Sequence, residues 1–505
     1  MALGRAMMTV GGLTGLSRIA GFVRDIMTAA FLGAGPLADA FFVALKLPNL
    51  FRRMTAEGAF SVAFVPLYSK EIEKGAPEDA ARFAGNAFVI MLCVLSIVTL
   101  IALTYMPAII TVIAPGFSDD PVRFDGAVEL GRVTFPYLLL MSLSALLGGM
   151  MNAHDKFAPF AFAPVLFNVS LIIALLWSDI FDTPAGYAMA WGVFISGFVQ
   201  FFWLFACLRR YRIALHLSRP EFTPRISKLF RLMGPGVIGA GVMHINLFAD
   251  MIIASFLSAG SISYLYYADR LNQLPLGMVG IAVGTTLLPM LSKALESKDQ
   301  TRAENLFNRS LEYSFLLAFP AAVALLTIPD VIISGLFERG EFKASDTRQA
   351  AFVLQGYAIG LPAYIAVKIL STAHWAREDT KTPVKVSIVI TALNIVLSLA
   401  LIGPLGVAGI AFSTGLTGWL QLTLLYIGLR KIKAVTIDAR LKKALIYCSG
   451  ISCIMGLGIY SISQLHLGQY ADLALCVVAG SMIYSVLVIA SGIINRQDIR
   501  TYIKR

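Results

Sequence analysis

The chain has 505 residues, 57% of them hydrophobic and only 14% charged, against about 25% charged in an ordinary soluble domain. Apolar runs of about 20 residues, enough to cross roughly 30 Å of hydrocarbon, recur along its whole length and exclude a soluble protein. The net charge of +11 suits an acidic partner such as nucleic acid or an anionic membrane surface, so where the basic residues fall decides between the two.

In chain order the apolar runs cover 8–32, 37–67, 83–113, 126–152, 158–178, 186–208, 226–257, 262–292, 307–329, 347–373, 384–403, 406–429, 441–464 and 471–494. This predicts an all-α polytopic membrane protein with about 14 transmembrane helices. The opening segment MALGRAMMTV runs into Arg18 without a cleavage site and is read as retained. With the N-terminus inside, nearly all loop Lys and Arg fall on the inner side. The outer loops carry only Arg123, Arg339, Lys343 and Arg348, apart from the interfacial Arg132. That asymmetry sets the orientation by the positive-inside rule, with both termini cytoplasmic. It also assigns the basic stretches RRYRIALHLSRPEFTPRISKLFR and RKIKAVTIDARLKK to cytoplasmic loops near anionic lipid rather than to nucleic acid.

The five cysteines (Cys93, Cys207, Cys448, Cys453 and Cys476) lie in or at the ends of apolar runs without a CxxC pair, and read as packing residues. Five scattered histidines form no ligand cluster.

The sequence occurs twice. FLGAGPLADAFFVALKLPN matches FLSAGSISYLYYADRLNQLP, and FVPLYSK matches LLPMLSK, pairing Asp25 with Asp250 and Lys46 with Arg270. Further on, MMNAHDKFAP pairs with ILSTAHWAREDTKTP, FNVSLIIAL with LNIVLSLAL (Asn168 with Asn394), and GYAMAWG with GVAGIAF. Both halves begin on an odd-numbered span, so they are parallel repeats, a common transporter design that works by alternating access. The expected lobes are 1–215 and 216–433, with 434–505 adding two helices and a cytoplasmic tail.

Ionisable residues within spans cost about 2.5–3.5 kcal/mol each and are functional by default. Here they are Arg18, Arg24, Lys46, Arg52, Arg53, Arg270 and Lys368 against Asp25, Asp39, Glu57, Asp250 and Asp269. Asp39, Lys46 and Arg53 recur every seven residues and share a helix face, to which Glu57 returns; Arg18 and Asp25 are also seven apart. Pro48 is expected to kink the second span. A salt-bridge lattice would account for some of these charges, but the surplus of cations and the preference for arginine favour an anion site. The guanidinium fork grips phosphate with two parallel bonds.

At this point DAFFVALKLPNLFRRMTAEGAFSVAFVP, with SRIAGFVRD before it and LFERGEF at 336–342, resembles the MurJ (MviN) lipid II flippases of the multidrug/oligosaccharidyl-lipid/polysaccharide exporter superfamily. The resemblance spans essentially the whole chain. It implies an inner-membrane protein that moves the undecaprenyl-diphosphate-linked peptidoglycan precursor outward, holding the headgroup in a cationic central cavity. By this resemblance the substrate-binding residues are Arg18, Arg24, Asp25, Asp39, Lys46, Arg52, Arg53, Glu57 and Arg270. It further implies that spans thirteen and fourteen form a groove with span one for the polyprenyl tail.

Some relatives bind sodium, and Asp250, Asn394 and Thr414 match that pattern, with Ile410 at the position of a carbonyl ligand. Ser398 stands where a carboxylate is expected, which weakens a hard-cation site. A proton or the membrane potential is then the alternative drive. The expected partners are lipid II and membrane lipids, with contacts to the cell-wall synthesis machinery; a monomer is expected.

A flippase for another polyprenyl-diphosphate glycan fits the same charges. A drug or metabolite antiporter of the superfamily would favour an acidic, aromatic cavity, which the arginines oppose. A membrane enzyme needs a nucleophile, metal or paired-carboxylate constellation, and Asp119, Asp120 and Asp125 read instead as a solvated loop.

Overall fold

The computed structural model describes residues 2–52, 60–217, 219–282, 286–432 and 435–492; within these, nothing is said of the side chains of 2–7, 61–62, 235–244 and 278–282. Arg53 and Glu57, expected at the headgroup site, lie outside the described residues. Regular structure among the described residues is helical, apart from an isolated bridge at 339 and 342.

Among the described residues nineteen α-helices follow one another: α1 (Ala2–Leu32), α2 (Pro36–Arg52), α3 (Ser61–Glu73), α4 (Pro77–Thr104), α5 (Met106–Ile113), α6 (Pro121–Thr134), α7 (Tyr137–Ala153), α8 (Ala158–Ile180), α9 (Ala185–Arg210), α10 (Pro224–Ser255), α11 (Ser261–Ala282), α12 (Leu288–Glu296), α13 (Gln300–Thr327), α14 (Pro329–Phe337), α15 (Ala344–Trp375), α16 (Lys381–Leu405), α17 (Ala408–Lys431), α18 (Ala439–Ser463) and α19 (Gln469–Ala490). A short 3-10 turn, Pro115–Asp119, precedes α6. Among the described residues ten segments are long and apolar enough to cross a membrane, with α6 and α7 counted together. The expected spans that do not enter this set are the first, second, seventh and eighth. They are the spans to which the sequence assigns most of the intramembrane charges.

Local chemistry sets the ends. Asp120, Thr223, Asp299 and Asp438 each cap a helix by accepting from a first-turn N–H, and each such cap contributes about 1 kcal/mol. Proline occupies the first turn of α4, α6, α10 and α14, where its missing N–H costs nothing. The repeats break their third helix alike: α4 stops at Tyr105 before α5, and α13 stops at Ile328 before α14.

The chain forms two compact units, Met1–Ser263 with Gly340–Phe342, and Tyr264–Arg339 with Lys343–Arg505. In the first, α8 packs on α1 and α9, α7 on α9, and α2 on α6; α10, which opens the second repeat, packs on α3, α4 and α5. Its core stacks Phe64 between Tyr68 and Phe83, with ring centroids 5.4 and 5.6 Å away, over Leu146, Leu147 and Met150.

In the second unit α17 packs on α15 and α16, matching α9 on α7 and α8. The α15–α17 crossing is a glycine contact. A Cβ on Gly415 would lie 2.5 Å from the Gly356 carbonyl oxygen, and one on Gly360 would lie 2.7 Å from Gly415 Cα. Small residues let membrane helices approach until their backbones touch. The two helices outside the repeat join this unit as α18 on α13 and α19 on α14. At their base Glu312, 2% exposed, pairs with Arg309 and with Arg440 at 3.0 Å, while Arg309 also pairs with Asp438. Large apolar side chains such as Ile180 (74%) and Ile489 (65%) stay exposed, as helices solvated by lipid require.

Candidate functional site

In the first unit the expected site residues fall into three environments. Arg18 is exposed, whereas Lys46 and Arg52 are half-buried. Arg24 and Asp25 are 6% and 3% exposed. Arg24 Nη2 donates to Asp25 Oδ1 at 2.6 Å, Nε donates to the same oxygen at 3.2 Å, and Nη1 donates to Asn168 Oδ1 at 2.8 Å. The guanidinium lies 5.8 Å from the centroid of the Phe167 ring. Asn168 Nδ2 completes the arrangement by donating to the carbonyls of Ser17 and Pro164, both at 3.0 Å. Its side chain lies 3.4 Å from where a Cβ on Gly21 would stand. Glycine there lets α8 bring its asparagine onto α1, and the Arg24 cation ties the two helices together inside the unit.

Asp39 stands apart. It is fully buried, and both of its oxygens are occupied: Oδ2 by the Gly260 N–H at 2.8 Å, Oδ1 by the Ser263 N–H at 2.9 Å and the Ser263 hydroxyl at 2.6 Å. The sequence pattern put Asp39 on the face of Lys46 and Arg53, but its carboxylate serves the first turn of α11. The donors there have no acceptor within their own helix.

In the second unit Arg270 is half-buried; its Nη2 donates to the Tyr266 hydroxyl at 3.1 Å, and its guanidinium carbon lies 4.7 Å from that ring's centroid. The preceding residue on α11, Asp269, accepts from Gln273 one turn further on. Stacking on Tyr266 holds the guanidinium plane in one orientation.

The α16–α17 residues matched to a sodium pattern hydrogen-bond to one another. Asn394 Nδ2 donates to the hydroxyl oxygens of Ser413, Thr414 and Thr417 at 3.1, 3.2 and 3.2 Å. The Ser413 and Thr414 hydroxyls in turn donate to the Ile410 carbonyl at 3.1 and 2.8 Å, and Ser398 pairs with Ser413 at 2.5 Å. The Asn394 NH2 faces the hydroxyls while its Oδ1 is buried without a hydrogen-bond partner, and Ile410 O accepts from both neighbouring hydroxyls. The group holds no carboxylate, whereas hard cations take charged oxygen ligands. Asp250 belongs to the other unit, where it accepts from Asn246 at 3.2 Å. Among the described residues no group of three or more His, Cys, Asp or Glu side chains is placed to hold a metal.

One participant was not singled out from the sequence as a site residue. Asn168 entered only as the repeat mate of Asn394, although an asparagine inside FNVSLIIAL was itself a signal.

A family model described as lipid II flippase MurJ matches residues 28–479. The chain is 43% identical over 434 residues to a probable lipid II flippase MurJ of Rhizobium tropici, covering 85% of this chain and 81% of that protein. It is 35% identical over 504 residues to the probable lipid II flippase MurJ of Rickettsia prowazekii, covering 98% and 96%. Among solved structures, a lipid II flippase MurJ in an inward closed conformation superposes with a TM-score of 0.81 at 26% identity, covering 97% of this chain and all of that one. An inward-facing multidrug MATE transporter superposes at 0.68 with 14% identity, over 85% of this chain and 95% of that one, and so shares the fold. The chain is a member of the lipid II flippase MurJ family.

Proposed function

We propose that this protein carries lipid II from the inner to the outer leaflet of a bacterial inner membrane by alternating access, making and breaking no covalent bond. The observation that carries the reading is family similarity along essentially the whole chain, at 35% identity over 98% of it. The cations at Arg18, Lys46, Arg52 and Arg270 are chemically suited to a diphosphate, whose charge must be matched wherever water is displaced. Arg24 acts beside them by holding α1 to α8, with Asp25 fixing its fork.

Both termini face the cytoplasm in this reading, and the protein works as a monomer. A proton or the membrane potential supplies the drive in this reading, because Ser398 stands where a hard-cation site needs a carboxylate. The test is to deplete the native flippase in cells that carry the Arg270→Ala variant. Growth should fail and lipid II should disappear from the outer leaflet, with the variant present in the membrane at normal level. Full rescue by Arg270→Ala would remove the anion-binding assignment. Unchanged lipid II exposure after depletion of the unaltered protein, in cells with no second flippase, would point to another polyprenyl-diphosphate glycan.

A further inference from the structure

The Arg24 guanidinium occupies a seat built from two helices. On α1, Asp25 Oδ1 accepts from Nη2 at 2.6 Å and from Nε at 3.2 Å; on α8, Asn168 Oδ1 accepts from Nη1 at 2.8 Å. Arg24, Asp25 and Asn168 are all buried and belong to one compact unit. The Phe167 ring, with its centroid 5.8 Å from the guanidinium carbon, adds a wall of the kind that attracts cations.

The asparagine keeps its orientation without help from Arg24. Its Nδ2 is committed to the Ser17 and Pro164 carbonyls, each at 3.0 Å. Turning the amide over would set its oxygen against those two carbonyl oxygens, so Oδ1 faces the seat whatever fills it. A carboxylate oxygen and an amide oxygen are the ligands that hard cations take. Shielded from water, they are costly to leave without a positive partner.

The repeat separates the seat from its occupant. Asp25 and Asn168 pair with Asp250 and Asn394, but the place of Arg24 is taken in the second repeat by Ala249. The acceptor residues therefore occur twice, whereas the tethered guanidinium occurs only in the first repeat. Asn394 Oδ1 is buried without a hydrogen-bond partner, as Asn168 Oδ1 would be if Arg24 were cut back to alanine.

We infer that Asp25 and Asn168 form a monovalent-cation seat, which Arg24 fills from within the chain and which a cation from solution takes when the guanidinium is withdrawn. One carboxylate in the seat calls for one positive charge, and its oxygens would repel a phosphate. The first repeat thus carries its own counter-ion, and the tie between α1 and α8 is independent of the salt around the protein.

The test uses the full chain purified in detergent, unaltered and as Arg24→Ala. Sodium chloride or methylguanidinium chloride should raise the melting temperature of Arg24→Ala by about 3 °C or more over choline chloride at equal ionic strength, choline being too bulky for the seat. The unaltered chain should melt alike in all three salts. Adding Asp25→Asn or Asn168→Leu to Arg24→Ala should remove the shift. Where Arg24→Ala is lost during purification, the readout is the monodisperse protein recovered with and without methylguanidinium in the extraction buffer, which should differ several-fold. Melting and recovery of Arg24→Ala that no cation improves would overturn the seat. So would a shift that survives Asp25→Asn and Asn168→Leu, or an equal shift in the unaltered chain, since either places the cation elsewhere. None of these outcomes involves lipid II, so the flippase reading is tested separately.

Discussion

Removing Asn168 is the most direct test of what Arg24 does. Asn168→Ala deletes the 2.8 Å bond from Arg24 Nη1 and the two 3.0 Å bonds to the Ser17 and Pro164 carbonyls. A hydrogen bond to a charged group contributes about 1.5–3 kcal/mol, whereas neutral bonds within membranes average about 0.6 kcal/mol. The loss should come to about 2.5–4 kcal/mol, or roughly 70- to 900-fold in the folding equilibrium. Arg24→Ala should cost more, about 3–5 kcal/mol, because it strips the buried Asp25 of its 2.6 Å partner. The assay is a double-mutant cycle on reversible unfolding in mixed micelles, run beside rescue of a depleted flippase. The double variant should fall short of the sum of the singles by about 1.5 kcal/mol or more, since they share one bond. Strict additivity, with normal rescue by Asn168→Ala and none by Arg24→Ala, would refute the helix tie and return Arg24 to direct contact with the headgroup.

Three further outcomes follow from the packing and electrostatics. Gly415→Ala should destabilise the protein by about 1–3 kcal/mol through forced separation of α15 and α17, and Gly415→Leu should abolish folded material in size-exclusion profiles. Exchanging sodium for potassium should leave the melting temperature unchanged, whereas Ser398→Asp should make it sodium-dependent; a sodium shift in the unaltered protein would contradict the α16–α17 assignment. Asp379, on the loop before α16, is partly desolvated, which works to raise its pKa, but its bonds with Thr382 and His374 hold it at about 2. A carboxyl depressed below its usual 3.8 stabilises the fold above about pH 4 and loses that contribution as pH falls through about 2. The stability gap between wild type and Asp379→Asn should therefore be constant from pH 5 to 8 and close below pH 3.

Helix content, membrane class and family were legible from the sequence because apolar length and a long specific motif survive without tertiary information. The repeat was legible too, and the matching breaks at Tyr105 and Ile328 are its structural counterpart. Side-chain destinations were harder to read. Heptad spacing put Asp39 with Lys46 on one face, but spacing fixes only direction, and a short aspartate pointing the same way as a long lysine reached the start of another helix. Arg24 looked available for an anion because its partner lies 144 residues away on α8, where no local pattern points. Asn394 matched a cation-binding pattern by residue type, and residue type does not say which end of the amide meets the surrounding hydroxyls; its NH2 does.

The ion-pair node at Glu312 bears on how the chain is made. Arg309, three residues before it on α13, is already in place when Glu312 is synthesised, whereas Asp438 and Arg440 come more than a hundred residues later. The buried carboxylate is thus neutralised from within its own helix while the rest of the protein is still on the ribosome. α18 then brings Arg440 for Glu312 and its capping Asp438 for Arg309. Attachment adds matched charges on both sides, so a chain cut between α17 and α18 should reassemble from its two pieces when they are expressed together.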